Sequence, residues 1–322
     1  MKRYIGVDLG GTNIKVALVD DGHQILIEKS RPTLLPRPAE DVCADIVAAI
    51  RDILSQAKLT AKDVCGGGIG CPGTVDGKRG VVSYSNNLAW RDVDLAPMLE
   101  RAIGCPFYLE NDANTAALGE ARAGSAKGAE SAVIVTLGTG VGSGIVIGGR
   151  LHAGYSGTAS EFGHMVIVRG GERCTCGREG CLESYASATG LIRMTWEAMR
   201  KNANSRLWTL ASSREEVNGR TAFEGARLGD ETARRVVDLY IDYLACGAIN
   251  IVNALQPEIL SLGGGIAKEG ETLLRPLREK VYAEIFGGRG RRYTRIEQCT
   301  LGYKAGLIGA AILAEDNAGA SR

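Results

Sequence analysis

The chain has 322 residues, 45% of them hydrophobic and 23% charged, and 38 Lys and Arg against 37 Asp and Glu leave a net charge of +1. This is ordinary globular composition with enough length for about two domains. The balanced and scattered charge excludes partners held by bulk electrostatics, such as nucleic acid or an anionic membrane surface.

The nine cysteines are an odd number, and Cys43, Cys65, Cys71, Cys105, Cys246 and Cys299 lie singly, which points to a reducing cytoplasm. The opening Met1 to Asp8 carries a carboxylate where an export signal needs an apolar run, so no signal peptide is expected. Tyr4 to Asp8, Ile14 to Val19 and Gln24 to Lys29 read as a three-stranded meander, joined by Gly10-Gly11-Thr12-Asn13 and Asp20-Asp21-Gly22. Ala39 to Ala57 carries Val42, Ile46, Ile50 and Leu54 at helical spacing, and Val64 to Gly70 reads as a strand ending in Cys71-Pro72-Gly73. That is a βαβ unit, normally right-handed. A helix over Asp94 to Ile103, a strand over Phe107 to Glu110 and a helix entered at Asn111-Asp112-Ala113-Asn114 complete a first α/β domain, 1–115. Its boundary is expected near Ala116 to Gly128, with a second domain over 116–304.

Ser131 to Gly149 is uncharged and near membrane-spanning length, but the glycines at 138, 140, 142 and 144 suit a tight turn between strands 132–137 and 143–147. Both halves therefore open on a strand, a Gly/Thr turn and a strand, the mark of a duplicated architecture. A helix from Glu183 to Met199, a polar stretch, a long helix from Asp230 to Leu255 and a strand over Ile259 to Leu262 follow. A small-residue tail helix, about 305–322, is expected to pack back on the first domain.

Chemistry concentrates in five places. Asp8-Leu9-Gly10-Gly11-Thr12 and Gly138-Thr139-Gly140 are glycine turns with hydroxyls, able to bring backbone N–H groups against a polyphosphate or to serve only as turns. Gly263-Gly264-Gly265 follows a strand and precedes a helix, so it either seats a nucleotide at a helix N-terminus or is a plain connection. Asp112 sits at the carboxyl end of a strand, where open sheets place ligands, and is either a general base or a helix cap. Last, His164, Cys174, Cys176 and Cys181 offer one imidazole and three thiols, a set that closes a tetrahedral structural zinc site. The alternative is free thiols on a surface hairpin. A closed site would fix the flanking carboxylates Glu161 and Glu183.

Taken together, Asp8 to Asn13, Leu137 to Gly142, Glu161-x-Gly-His164, the Cys-x-Cys-Gly-x2-Gly-Cys-x-Glu loop and Gly263 to Gly265 stand in the order seen in ROK-family sugar kinases. The resemblance is nearest the glucokinase branch and spans essentially the whole chain. It implies a two-domain, actin-like and hexokinase-like α/β ATPase fold with a cleft between the domains, taking a hexose and ATP with Mg2+. It further implies Asp112 as the base that deprotonates the sugar hydroxyl, with Gly73, Asn87, Asn111, Glu161, His164 and Glu183 contacting the sugar. Asp8, Gly10, Gly11, Thr12, Asn13, Gly138, Thr139, Gly140, Gly264 and Gly265 would serve ATP, with Asp8 near the metal. The zinc ligands would be His164, Cys174, Cys176 and Cys181, with one His164 nitrogen on zinc and the other toward the sugar.

Ser160 and Ser156 depart from the family pattern, in which glycine and asparagine are frequent at these positions. Relatives are commonly dimers or tetramers, and some use fructose, mannose, allose or N-acetylhexosamines in place of glucose. The family also contains sugar-responsive repressors, which carry an N-terminal helix-turn-helix; with so few residues before Tyr4, none is expected here. Losing zinc is expected to weaken sugar binding more than ATP binding, because the two glycine turns rest on strands independent of the loop.

Overall fold

The computed structural model describes residues 1–288 and 294–320. In chain order its elements are β1 (Arg3–Leu9), β2 (Asn13–Asp20), β3 (Ile25–Pro32), α1 (Ala39–Gln56), β4 (Gly67–Cys71), β5 (Thr74–Asp76), β6 (Val81–Ser85), β7 (Trp90–Val93), α2 (Leu95–Ile103), β8 (Phe107–Asn111) and α3 (Asp112–Ala123). They continue with β9 (Ser131–Leu137), β10 (Val141–Ile147), β11 (Arg150–Leu151), α4 (Glu183–Ala186), α5 (Ala188–Lys201), α6 (Thr221–Arg227), α7 (Glu231–Leu255), β12 (Ile259–Gly263), α8 (Gly264–Ala267), α9 (Glu271–Glu284), β13 (Arg295–Gln298) and α10 (Lys304–Ala320).

The chain divides into two compact units. One holds Met1–Ser131, Gly144–Ser160 and Thr300–Arg322, and the other holds Ala132–Ser143 and Glu161–Cys299. A division at 115/116 would pass through the middle of α3.

In the first unit a five-stranded sheet has the order β3-β2-β1-β4-β8. The meander is antiparallel, whereas β4 runs parallel to both β1 and β8, as the βαβ reading requires. The apolar stripe of α1 (Val42, Ile46, Ile50, Ile53) is fully buried and packs in one core with Ile5, Val7, Leu18 and Ile69. Each such side chain is worth about 1.5–3 kcal/mol relative to exposure.

The helix α10 packs on β1, β4 and α3. Its small residues let backbone lie against backbone: a Cβ on Gly68 would run into the Ala310 carbonyl. Gly68→Ala is therefore expected to cost more than about 2 kcal/mol, because no flexible side chain is available to give way. A thermal melt reads this directly as a lowered midpoint. The tail helix expected over 305–322 is found to Ala320, and residues 321–322 lie outside those described.

In the second unit β12 lies parallel to both β9 and β13. The single helix expected from Glu183 to Met199 is two helices. Ser187 between them is extended (φ −84°, ψ 167°), and its side chain accepts the Gly190 N–H, capping α5. Sequence periodicity also passed over α6, α9 with its internal Pro276, β13 and the small sheet β5-β6-β7, all short or lacking a clean apolar stripe. Among the described residues, only α7 is long and apolar enough to cross a membrane by length and composition, and 56% of its most apolar window is buried inside the protein. Val236, Tyr240, Leu244 and Ile251 point into that core.

Candidate functional site

In the first unit the site grows from the junction of β8 and α3. Asn111 ends the strand and caps the helix, its Oδ1 accepting the Ala113 N–H (2.9 Å) and the Asn114 N–H (3.2 Å). The cap expected of Asp112 thus belongs to its neighbour, which leaves Asp112 as the first helical residue, with its own Oδ1 accepting the Ala113 N–H at 2.9 Å. The Asn111 amide also donates to the Gly73 carbonyl at 3.0 Å. Gly73 has φ 112°, and a Cβ there would meet the Tyr84 carbonyl, so this segment lies against the strand that leads to Asn87.

Asn87 stands in the β6–β7 turn, where Ser85 Oγ accepts the Leu88 N–H (3.4 Å), and beside Gly11. The Gly10–Asn13 turn is closed by Gly10 N–H to the Asn13 carbonyl (2.9 Å) and pinned by the Thr33 hydroxyl to the Gly10 carbonyl (2.7 Å). Gly73, Asn87, Asn111 and the first glycine turn therefore form one connected framework.

Asp8 lies opposite Lys15 across the β1–β2 ladder, Nζ to Oδ2 3.4 Å. Burial pushes Asp8 above the ordinary carboxylate range, and the Lys15 ammonium draws it back. Lys15 was not singled out in the sequence, although the hairpin register that pairs residue 8 with residue 15 is the signal that finds it.

Glu110, next to the site, is pushed up by burial, against the Asn114 amide (3.0 Å) and the Asn111 N–H (2.7 Å) that its carboxylate accepts. A folded-state value above the unfolded one means that stability is present at low pH and is lost as pH rises through the folded value. Glu110→Gln keeps an acceptor for both donors, and a cavity of about 590 Å³ lined by Ser83, Tyr108 and Glu110 leaves room to solvate the new amide. The variant is expected to melt higher than the parent at neutral pH, with the gain vanishing below the ordinary value of 4.5. Melts across pH 4 to 8 test this sign.

In the second unit, the ligand atoms of His164, Cys174, Cys176 and Cys181 all lie within 4.8 Å of one another. His164 Nδ1 is 3.6 Å from Cys174 Sγ, and Cys176 and Cys181 Sγ are 3.7 Å apart. With zinc–sulfur bonds of about 2.3 Å, a tetrahedral shell separates its thiolates by about 3.8 Å, so the donor set fits a four-ligand zinc site. The single residue between Cys174 and Cys176 does not prevent this. Burial pushes the Cys181 thiol up to about 12, while the Arg178 backbone N–H holds Cys176 below the usual thiol range. A bound dication would favour the thiolate form of both.

His164 Nδ1 faces the thiols and Nε2 faces Glu161, 4.0 Å from Oε2, so the two ring nitrogens point to different neighbours. Ser160, just before Glu161, has φ 73°, a left-handed conformation that costs a non-glycine residue roughly 1–2 kcal/mol. This is the physical reason glycine suits that position.

The Gly138–Gly140 turn and the Gly263–Gly265 run come together. Leu137 bridges to Gly264, and Gly264 has φ 85° where a Cβ would collide with Leu137. Gly265 is exposed and has open space above it. The helix α8, which begins at Gly264 within this run, is only four residues long, so the expected helix-terminus field is weak and backbone approach is the stronger feature. The glycine turn is not independent of the cysteine loop, contrary to the sequence expectation. Glu183 accepts both the Val141 N–H (3.0 Å) and the Thr175 hydroxyl (3.2 Å), a link that sequence spacing does not reveal.

A glucokinase from Thermotoga maritima is 37% identical over 318 residues, covering 98% of each chain. A ROK family glucokinase from Streptomyces griseus, solved in complex with glucose and AMPPNP, matches with a TM-score of 0.82 at 36% identity, covering 98% of this chain and 99% of that one. A ROK hexokinase from Thermus thermophilus matches with a TM-score of 0.83 at 32% identity, with 99% of each chain covered. The mixed α/β architecture is the actin-like fold of these kinases. The ROK family model itself matches residues 4–317, and with relatives this similar over nearly the full length, the chain belongs to the ROK family.

Proposed function

We propose that this protein is an ATP-dependent hexose kinase that converts glucose to glucose 6-phosphate, with Asp112 as general base. The observation that carries the reading is the full-length likeness to glucokinases, joined to an Asp112 that is spared the capping role by Asn111. Phosphoryl transfer asks for in-line placement, charge neutralisation and a base for the attacking hydroxyl, with little covalent help from the protein. Asp112 takes the proton from O6 as the O6–phosphorus bond forms and the bond from phosphorus to the β-phosphate oxygen breaks, releasing ADP.

Gly73, Asn87, Asn111, Glu161, His164 and Glu183 hold the sugar hydroxyls, since carboxylates and amides supply the needed acceptors and donors. Asp8, Gly10 to Asn13, Gly138 to Gly140, Gly264 and Gly265 serve MgATP. The carboxylate of Asp8 is the residue that would face the magnesium ion. Zinc held by His164, Cys174, Cys176 and Cys181 would supply structural closure of the loop and, with four protein ligands, no open position for chemistry.

We assign the two compact units as the two kinase domains, and propose a cytoplasmic homodimer or homotetramer that binds neither nucleic acid nor membrane. A coupled ADP-release assay over a hexose panel with magnesium tests the function. Glucose should give the highest kcat/KM. Another hexose in first place would correct the substrate, and no stimulation by any hexose would favour a ligand-binding regulator.

A further inference from the structure

Glu183 opens α4 two residues after Cys181, the last cysteine of the loop, and its two carboxylate oxygens face different neighbours. Oε1 accepts the Thr175 hydroxyl at 3.2 Å and lies 3.6 Å from Cys174 Sγ, both in the cysteine loop. Oε2 accepts the Val141 N–H at 3.0 Å, and a Cβ on Gly140 would fall on the same carboxylate, so glycine at 140 is what lets it lie against the turn. The segment after Glu183 grips the other side of that turn. Ala188 N–H donates to the Gly138 carbonyl and the Thr189 hydroxyl to the Thr139 carbonyl, each at 2.8 Å. Every residue from 138 to 141 thus touches the stretch that the cysteine loop leads into.

We propose that Thr175 and Glu183 are positioning residues for the nucleotide turn: a folded cysteine loop sets the Glu183 carboxylate through Thr175, and that carboxylate holds the Gly138–Val141 backbone in its nucleotide-binding shape. The inference rests on the reading of Gly138 to Gly140 as ATP contacts. It differs from a sugar-site role for the loop, because it places the effect on nucleotide affinity. A hydroxyl bonded to a carboxylate is a modest interaction, so its loss should loosen the turn without unfolding it. Thr175 itself is exposed and stands outside the His164, Cys174, Cys176 and Cys181 cluster.

The test uses the full-length, zinc-loaded protein and three readouts: zinc content by elemental analysis, hydrogen exchange of segment 138–142, and titration with AMPPNP and magnesium. Thr175→Val should retain zinc, exchange faster at 138–142 and bind AMPPNP roughly three- to tenfold more weakly, the scale of one lost hydrogen bond. Thr175→Ser should restore both values. If Thr175→Val sheds zinc, Glu183→Gln carries the same comparison, because its amide offers one acceptor oxygen where the carboxylate offers two. Parental exchange and parental AMPPNP affinity in these variants would overturn the proposal. Failure of AMPPNP to protect 138–142 in the parent overturns the nucleotide reading itself, whereas faster exchange in Thr175→Val alone still supports the mechanical link.

Discussion

Asp112→Asn is expected to lower kcat by roughly 10²–10⁴ while sugar affinity and thermal stability stay near the parental values. The size follows from removing a general base in a reaction where the protein does little other covalent work. The selectivity follows from the local structure. Helix α3 is capped by the Asn111 side chain, and an asparagine oxygen at 112 can keep the acceptor that Asp112 offers the Ala113 N–H. The substitution removes the charge at the base. Steady-state kinetics beside calorimetric sugar titration separate the outcomes. Unchanged kcat would reduce Asp112 to a residue of the first helical turn, and equal losses in kcat and sugar affinity would point to a collapsed pocket.

Cys176→Ser is expected to shed zinc and weaken sugar affinity by at least roughly tenfold, since a four-ligand site contributes folding energy to the loop that carries it. His164 belongs to the metal cluster and also stands 4.0 Å from Glu161, so disorder of the loop reaches two sugar-binding candidates at once. Nucleotide affinity should fall as well, because the Glu183 carboxylate spans the loop and the Val141 N–H. Elemental analysis with sugar and AMPPNP titrations of the same preparation checks all three. A parental protein that carries no zinc, or a variant that binds sugar normally, would return the thiols to a surface hairpin.

Much of this was legible from residue order because the signals were local. The meander, α1 and β4 follow from strand and helix periodicities over a few turns of chain, and the structure places them within a few residues of the expected bounds. The clustering of His164 with Cys174, Cys176 and Cys181 was legible because ligand chemistry restricts which residue types gather at one point. What sequence could not carry were contacts set by folding at a distance. In the link from Thr175 through Glu183 to Val141, the Glu183 carboxylate meets a backbone N–H 42 positions away, which no side-chain pattern announces. The cap at Asn111 instead of Asp112 was a one-residue ambiguity, since both are good cap residues and only backbone geometry decides between them. The break at Ser187 was hidden because the apolar spacing on either side runs in helical phase, while the serine side chain quietly restarts the helix.

Phosphorus NMR of a mixture of the purified protein, glucose, ATP and magnesium reads phosphoryl transfer to glucose without a coupling enzyme. The ATP γ-phosphate signal should disappear in step with a new phosphomonoester coupled to the protons at C6 of glucose, with ADP formed in equal amount and none of this in Asp112→Asn on the same timescale. ATP consumed only to inorganic phosphate, or a spectrum unchanged by glucose and by every other hexose, would contradict it.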